Sequence, residues 1–203
     1  MRPKIAVHMR TRHIRKARIV NSTDHCDANG ATPTLAELAA QVRLLQDRRD
    51  VEDCVHRYSR GLDRRDWDYL ASAYHADAAE SRGDLDGTVG EFIDWLKNHM
   101  LDWDHSLHML DINNVEIRGD VAYAEVYVIF SQQRVDGSAV DFGAARYLDR
   151  LERRNGEWKI AHRQLAADWA ASAPARKQSG AKFHVDGRLD TGDLSYRYKA
   201  ADA

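Results

Sequence analysis

The sequence predicts an α+β domain, with helices laid on one face of a curved antiparallel sheet and a pocket between the two layers. Three observations carry that expectation. Apolar residues recur at helical spacing as far as Met100, four alternating stretches follow it, and turn dipeptides separate those stretches. A chain of 203 residues fits one such domain with appended segments.

Residues 1–33 read as a disordered arm or extension ahead of the domain. They hold seven Lys/Arg against two Asp, a net of +5, which leaves −7 on the remainder because the whole chain carries −2. The stretch lacks the apolar core of a secretory signal, and it has no aromatic residues to stack on bases. The breaker cluster NGATPT (29–34) bounds it, and Thr34 with Glu37 reads as a capping box that opens a helix. Leu35, Leu38, Val42 and Leu45 form one apolar stripe on that helix. Val51, Val55, Tyr58 and Leu62 form a second, with Gly61 and Asp63 marking the helix end. Asp66 is placed to cap a short helix carrying Trp67, Leu70 and Tyr74. Thr88 and Glu91 form a second capping box, ahead of EFIDWLKNHML.

The four alternating stretches are SLHMLDINNVEI, VAYAEVYVIFSQQRV, AVDFGAARYLDRLERR and EWKIAHRQLAADW. Gly119-Asp120, Asp136-Gly137 and Asn155-Gly156 punctuate them, and the last two pairs tolerate the positive φ of tight hairpins. Strands joined by short turns make a meander. The domain is therefore expected over 34–170, with 171–203 as a tail that packs on the domain or on a neighbouring subunit.

Several function classes are disfavoured. A net charge of −2 creates no global basic field for nucleic acid. No apolar run approaches the ~18–20 residues of a membrane helix. Cys26 and Cys54 form no CxxC or metal spacing, which suits a reducing, cytoplasmic compartment. There is no GxGxxG, P-loop or nucleophile elbow, so no cofactor is expected. His105 and His108 differ by three on a strand and point to opposite faces, so no shared metal is expected.

A pocket between helices and a curved sheet is a natural small-molecule site, and a small hydrophobic substrate is the expected partner. Tyr58 lies on the inward stripe, Asp63 follows where the helix ends, and His108 shares a strand face with Ser106, Leu110 and Ile112. Singly, each has an ordinary reading: a core tyrosine, a cap, a satisfied core histidine. On the last strand Trp158, Ile160 and His162 share one face and Ala161, Arg163 and Leu165 the other. If the first set is core, Arg163 is solvated. Trp67, Tyr74, Phe92, Trp95, Tyr127, Phe142 and Trp169 are the aromatic candidates for the pocket wall. Apolar residues on the outer sheet face point to a homo-oligomer, a trimer or a dimer.

The motifs VHRYSRGLDRRDWDYLASAYHADA, SLHMLDINNVEIRGDVAYAEVYV and ARYLDRLERRNGEWKIAHRQLAADW resemble those of the SnoaL-like branch of the nuclear-transport-factor-2-like superfamily, over about residues 35–169. The resemblance implies a cone-shaped fold around a central pocket. Within the branch the chain is similar to the hexachlorocyclohexane dehydrochlorinases and the bile-acid dehydratases, which remove a proton with an Asp–His dyad. It implies that Asp63 and His108 form that dyad, that Tyr58 donates to an oxygen, and that Arg163 neutralises a carboxylate or leaving group. The implied activity is a cofactor-independent lyase of dehydratase type acting on a hydrophobic hydroxylated ring compound. The fold also hosts ketosteroid-isomerase-type and cyclase enzymes, small-molecule-binding modules and dioxygenase small subunits, which stay open as alternatives.

Overall fold

The computed structural model describes residues 32–83, 85–175 and 187–198. Residues 1–31 of the basic extension and residues 176–186 and 199–203 of the tail lie outside that set. Helix α1 (Leu35–Asp63) opens on the expected capping box: Glu37 N donates to Thr34 Oγ1 at 3.2 Å, and Thr34 N donates to Glu37 Oε2 at 2.7 Å. A boundary between two units falls at Leu38/Ala39, so this first turn belongs to the first unit and the rest of α1 to the second.

In the second unit Val51, Val55, Tyr58 and Leu62 are buried, as their spacing predicts. Val42 and Leu45 stand 51% and 67% exposed, and Leu35 and Leu38 are exposed too. Helical spacing marks a face without supplying a partner for it. Gly61 does not cap the helix. It is buried, and a Cβ there would lie 2.6 Å from the Leu70 main-chain nitrogen, so glycine permits a close crossing. The left-handed turn that follows Asp63 is made by Arg65 (φ 49).

Asp66 caps α2 (Trp67–Ala71) by accepting from Tyr69 N at 3.2 Å. Tyr74 falls outside that helix and starts strand β1 (Tyr74–Arg82), which pairs with β2 (Leu85–Thr88). Helix α3 (Val89–His99) follows the second capping box, and a 3₁₀ turn (Met100–Asp102) leads into the long strands. These are β3 (Trp103–Arg118), β4 (Val121–Arg134), β5 (Ala139–Arg154) and β6 (Glu157–Pro174), so β6 runs past the expected boundary at 170.

The sheet order is β2-β1-β6-β5-β4-β3. The meander β3–β6 is antiparallel throughout, and β1 joins it by parallel pairing with β6. At the β5–β6 turn Asn155 and Gly156 both take positive φ, 54° and 82°, as that dipeptide predicts. The register slips at several points, leaving Asn113 in β3 and Ala161 and Asp168 in β6 as extra residues. Such bulges bend strands, and this sheet is curved and unclosed. Val51, Val55, Phe92, Val126, Leu151 and Ile160 are among the fully buried residues that join helices to the inner sheet face.

The segment 187–198 carries a short helix, α4 (Leu194–Arg197). Its Tyr196 hydroxyl donates to Asp66 Oδ2 at 2.9 Å, and the Arg60 guanidinium sits 4.7 Å from the Tyr196 ring centroid.

Candidate active site

Because α1 stops at Asp63, the carboxylate leaves the last turn and meets β3. Asp63 Oδ1 pairs with His108 Nδ1 at 2.7 Å and accepts the Ser106 hydroxyl at 3.1 Å. Asp63 Oδ2 accepts the His108 main-chain N–H at 2.8 Å. The Ser59 hydroxyl donates to the His108 carbonyl at 3.3 Å. An ionised carboxylate only accepts, so Nδ1 carries the ring proton and Nε2 keeps its lone pair. The two side chains are 10% and 9% exposed. A histidine with a fixed tautomer and a buried carboxylate behind it can act as a base while the carboxylate stabilises the imidazolium.

His108 stands at the wall of a cavity of about 340 Å³. Leu62, Leu96, Val128, Phe130, Leu165 and Trp95 supply much of its apolar surface. The polar groups at the wall include Arg82, His99, Gln132 and Asp168. His99 stacks on Trp95 at 4.7 Å, its Nε2 accepts from Trp103 Nε1 at 3.2 Å, and burial holds its pKa below the ordinary imidazole value.

Of the residues nominated from sequence, Asp63 and His108 meet directly, and His108, Trp95 and Trp169 line the cavity. Tyr58 is fully buried behind that wall, its hydroxyl 3.4 Å from Arg82 Nη2. Tyr74 and Phe92 are buried in the core, and Trp67 packs against it, but none of the three lines the cavity. Tyr127 is 43% exposed on the outer sheet face, since Ala122, Ala124, Val126 and Val128 are the buried residues of β4. Phe142 pairs with Ser131 on that outer face and packs edge-on against Trp169 at 6.1 Å.

Arg163 needs a correction of face. Strict alternation sets it opposite Trp158 and Ile160, yet all three are buried. Leu151 pairs with Ile160 and Arg150 with His162, so Ala161 is skipped and the strand changes face there. Arg163 is therefore not solvated. Its Nε and Nη2 donate to the two oxygens of Asp149, each at 2.6 Å. Its guanidinium lies 4.1 Å from the ring centroids of both Tyr58 and Tyr147. Burial alone lowers the Arg163 pKa, but Asp149 and the tyrosines more than offset it and hold the value well above the ordinary one. Tyr147 separates this pair from the cavity, which Tyr147 lines and Arg163 does not.

Arg82, Glu80 and Asp149 escaped the sequence reading, and Ser106 entered it only as a neighbour on the His108 face. Glu80 and Arg82 stand among charges near a turn, which reads as a solvated edge. Parallel pairing with β6 instead buries Glu80 completely, where it accepts from the Tyr74 hydroxyl at 2.9 Å and from Arg82 Nε at 3.0 Å. The Ser106 contact with Asp63 could have been found, since Ser106 shares that face. Among the described residues no group of three or more His, Cys, Asp or Glu is placed to hold a metal ion.

The fold belongs to a recognisable class: α+β domains with a curved, unclosed sheet and N-terminal helices. The chain is a member of the SnoaL-like domain family, whose profile matches residues 43–164. Among solved structures it is similar to the hexachlorocyclohexane dehydrochlorinase LinA-type3 from Novosphingobium barchaimii, at 22% identity and a TM-score of 0.61 over 72% of this chain and 99% of that one. A scytalone dehydratase-like protein from Novosphingobium aromaticivorans matches at 17% identity and a TM-score of 0.59, over 68% and 97% of the two chains. These likenesses establish the shared fold. No curated protein sequence matches the chain.

Proposed function

We propose that this protein is a cofactor-independent lyase of dehydratase type, in which His108 takes a proton from a hydrophobic, hydroxylated ring compound. The observation that carries the reading is the 2.7 Å contact between Asp63 and His108 at the wall of a largely apolar cavity. His108 Nε2 accepts the C–H proton, the C–H electron pair becomes the new double bond, and the C–O bond breaks. The imidazolium returns its proton to the departing hydroxide, which leaves as water. Asp63 fixes the tautomer and stabilises the imidazolium between those steps. The names of the two structural neighbours, a dehydrochlorinase and a dehydratase, support an elimination.

The cavity of about 340 Å³ suits a compact ring compound as ligand. Leu107, Met109, Tyr127 and Ile129 on the outer face of the sheet are exposed, which supports self-association as a trimer or dimer. Cys54 is a free, buried thiol, as a cytoplasmic protein allows. No helix among the described residues is long and apolar enough to cross a membrane.

The test is a screen of hydroxy-steroids and hydroxylated aromatics, read by mass spectrometry for loss of water. His108→Ala is expected to abolish turnover and leave the circular dichroism spectrum unchanged. A folded variant that turns over like the parent overturns the role of the dyad. Products of unchanged mass point to an isomerase with the same base, and binding without product points to a binding module.

A further inference from the structure

Arg82 is the one lysine or arginine at the cavity wall among the described residues. Its surroundings hold it still. Nε donates to Glu80 Oε1 at 3.0 Å, Nη2 donates to the same oxygen, and the guanidinium lies 4.2 Å from the Phe92 ring centroid. Tyr58 adds an oxygen 3.4 Å from Nη2. The side chain is 12% exposed, and no hydrogen bond from Nη1 to another described residue accompanies these. A planar, fixed cation at the wall of an apolar cavity is a preformed site for an oxygen that gains negative charge.

The charges around it narrow what that oxygen is. At the wall Asp168 is offset by Arg146 at 3.6 Å; of the rest, Asp63 and Glu80 are carboxylates, Arg82 is a cation and a His108 base is neutral, so these four groups sum to −1 before any ligand arrives. A carboxylate ligand would raise this to −2 in an apolar, poorly solvated space, which costs heavily. A neutral carbonyl adds no charge. Proton transfer to His108 then creates an imidazolium beside Asp63 and an enolate oxygen for Arg82, with the sum unchanged.

We propose that Arg82 is the oxyanion-binding residue of this cavity and that it selects neutral ring compounds bearing a carbonyl next to the acidic C–H and a hydroxyl one carbon further on. The assignment rests on the dehydratase reading for its chemistry. His108 removes the proton, the C–H electron pair moves onto the carbonyl as an enolate, and Arg82 holds the resulting C–O⁻. The enolate then re-forms the carbonyl and expels the hydroxyl, which departs as water with the proton from His108. No oxidant, reductant or metal enters the balance.

The test uses 2-naphthol as an enolate mimic and naphthalene as its oxygen-free comparator, on the full chain. Isothermal titration gives affinity, and ultraviolet absorbance gives the naphtholate fraction of the bound probe. A charge-assisted hydrogen bond predicts that the parent binds 2-naphthol at least about tenfold more tightly than naphthalene, with naphtholate bound at a pH where the free probe is un-ionised. Arg82→Gln is expected to erase both effects and leave naphthalene affinity unchanged. Arg82→Lys keeps a charge for Glu80 but loses the planar fork, and retains part of the preference. His108→Ala is expected to keep the preference.

A parent protein with no preference overturns the proposal, whatever the variants do. So does a folded Arg82→Gln that keeps the preference, an Arg82→Lys that keeps it undiminished, or a loss in His108→Ala, which would assign the oxygen to the histidine. If the naphthol results hold and no substrate loses water, the oxyanion site stands and the dehydratase reading falls.

Discussion

Asp63→Asn tests the dyad through a single atom. Oδ2 accepts the His108 main-chain N–H at 2.8 Å, so an asparagine must keep its carbonyl oxygen there. The reverse orientation sets two donors against each other in a buried place and costs about 1–3 kcal/mol. The amide nitrogen therefore faces His108 Nδ1, which has to become an acceptor. The ring proton moves to Nε2 and the base is lost. The Ser106 hydroxyl can turn to accept from the new amide, so the fold is expected to survive. The charge term is larger. At the 2.7 Å separation and an effective dielectric near 20, Asp63 stabilises an imidazolium by about 6 kcal/mol at most. Spreading the cationic charge over both ring nitrogens brings this to about 5 kcal/mol. Turnover is expected to fall between about 10² and 10⁴-fold. The assay is kcat on the substrate found by the screen, together with ¹⁵N NMR of the ring, which separates the two tautomers. A folded variant with Nδ1 still protonated and turnover within about tenfold of the parent refutes the reasoning.

Two other outcomes follow from the buried charges and the caps. Arg163→Met leaves Asp149 ionised in a fully buried place and is expected to cost about 3–5 kcal/mol in urea unfolding. Adding Asp149→Leu should recover much of that, and a double variant no better than the single one counts against an unpaired charge as the cause. Glu91 is held below its ordinary carboxylate value by hydrogen bonds from Thr88. Its folded value is depressed, so its stabilisation is present at neutral pH and lost as pH falls through that lowered value. Glu91→Gln is expected to flatten the acid limb of the stability profile, read as thermal midpoint against pH, and an unchanged limb excludes this contribution.

The dyad was legible because both residues lie where simple geometry holds. Asp63 ends an amphipathic stripe, and His108 sits on a stretch of β3 whose alternation is undisturbed from Ser106 to Ile112. Arg163 was misplaced because counting by twos assumes an unbroken ladder, and Ala161 consumes one position without a partner. Tyr127 and Phe142 were nominated for their rings, although the small and branched residues Ala122, Ala124, Val126 and Val128 were the ones that fit beneath the helices. Arg82 was hidden for a different reason. Its burial depends on a parallel pairing between β1 and β6, whose partners lie some eighty positions apart, and nothing local reports that.

Asp63 holds both the main chain and the ring of His108, so one carboxylate fastens the last turn of α1 to β3. The histidine cannot keep its aim if that turn frays. Helix ends open far more readily than a four-stranded meander unfolds. On the proposed mechanism, losing that one contact would silence the site while the sheet is still native.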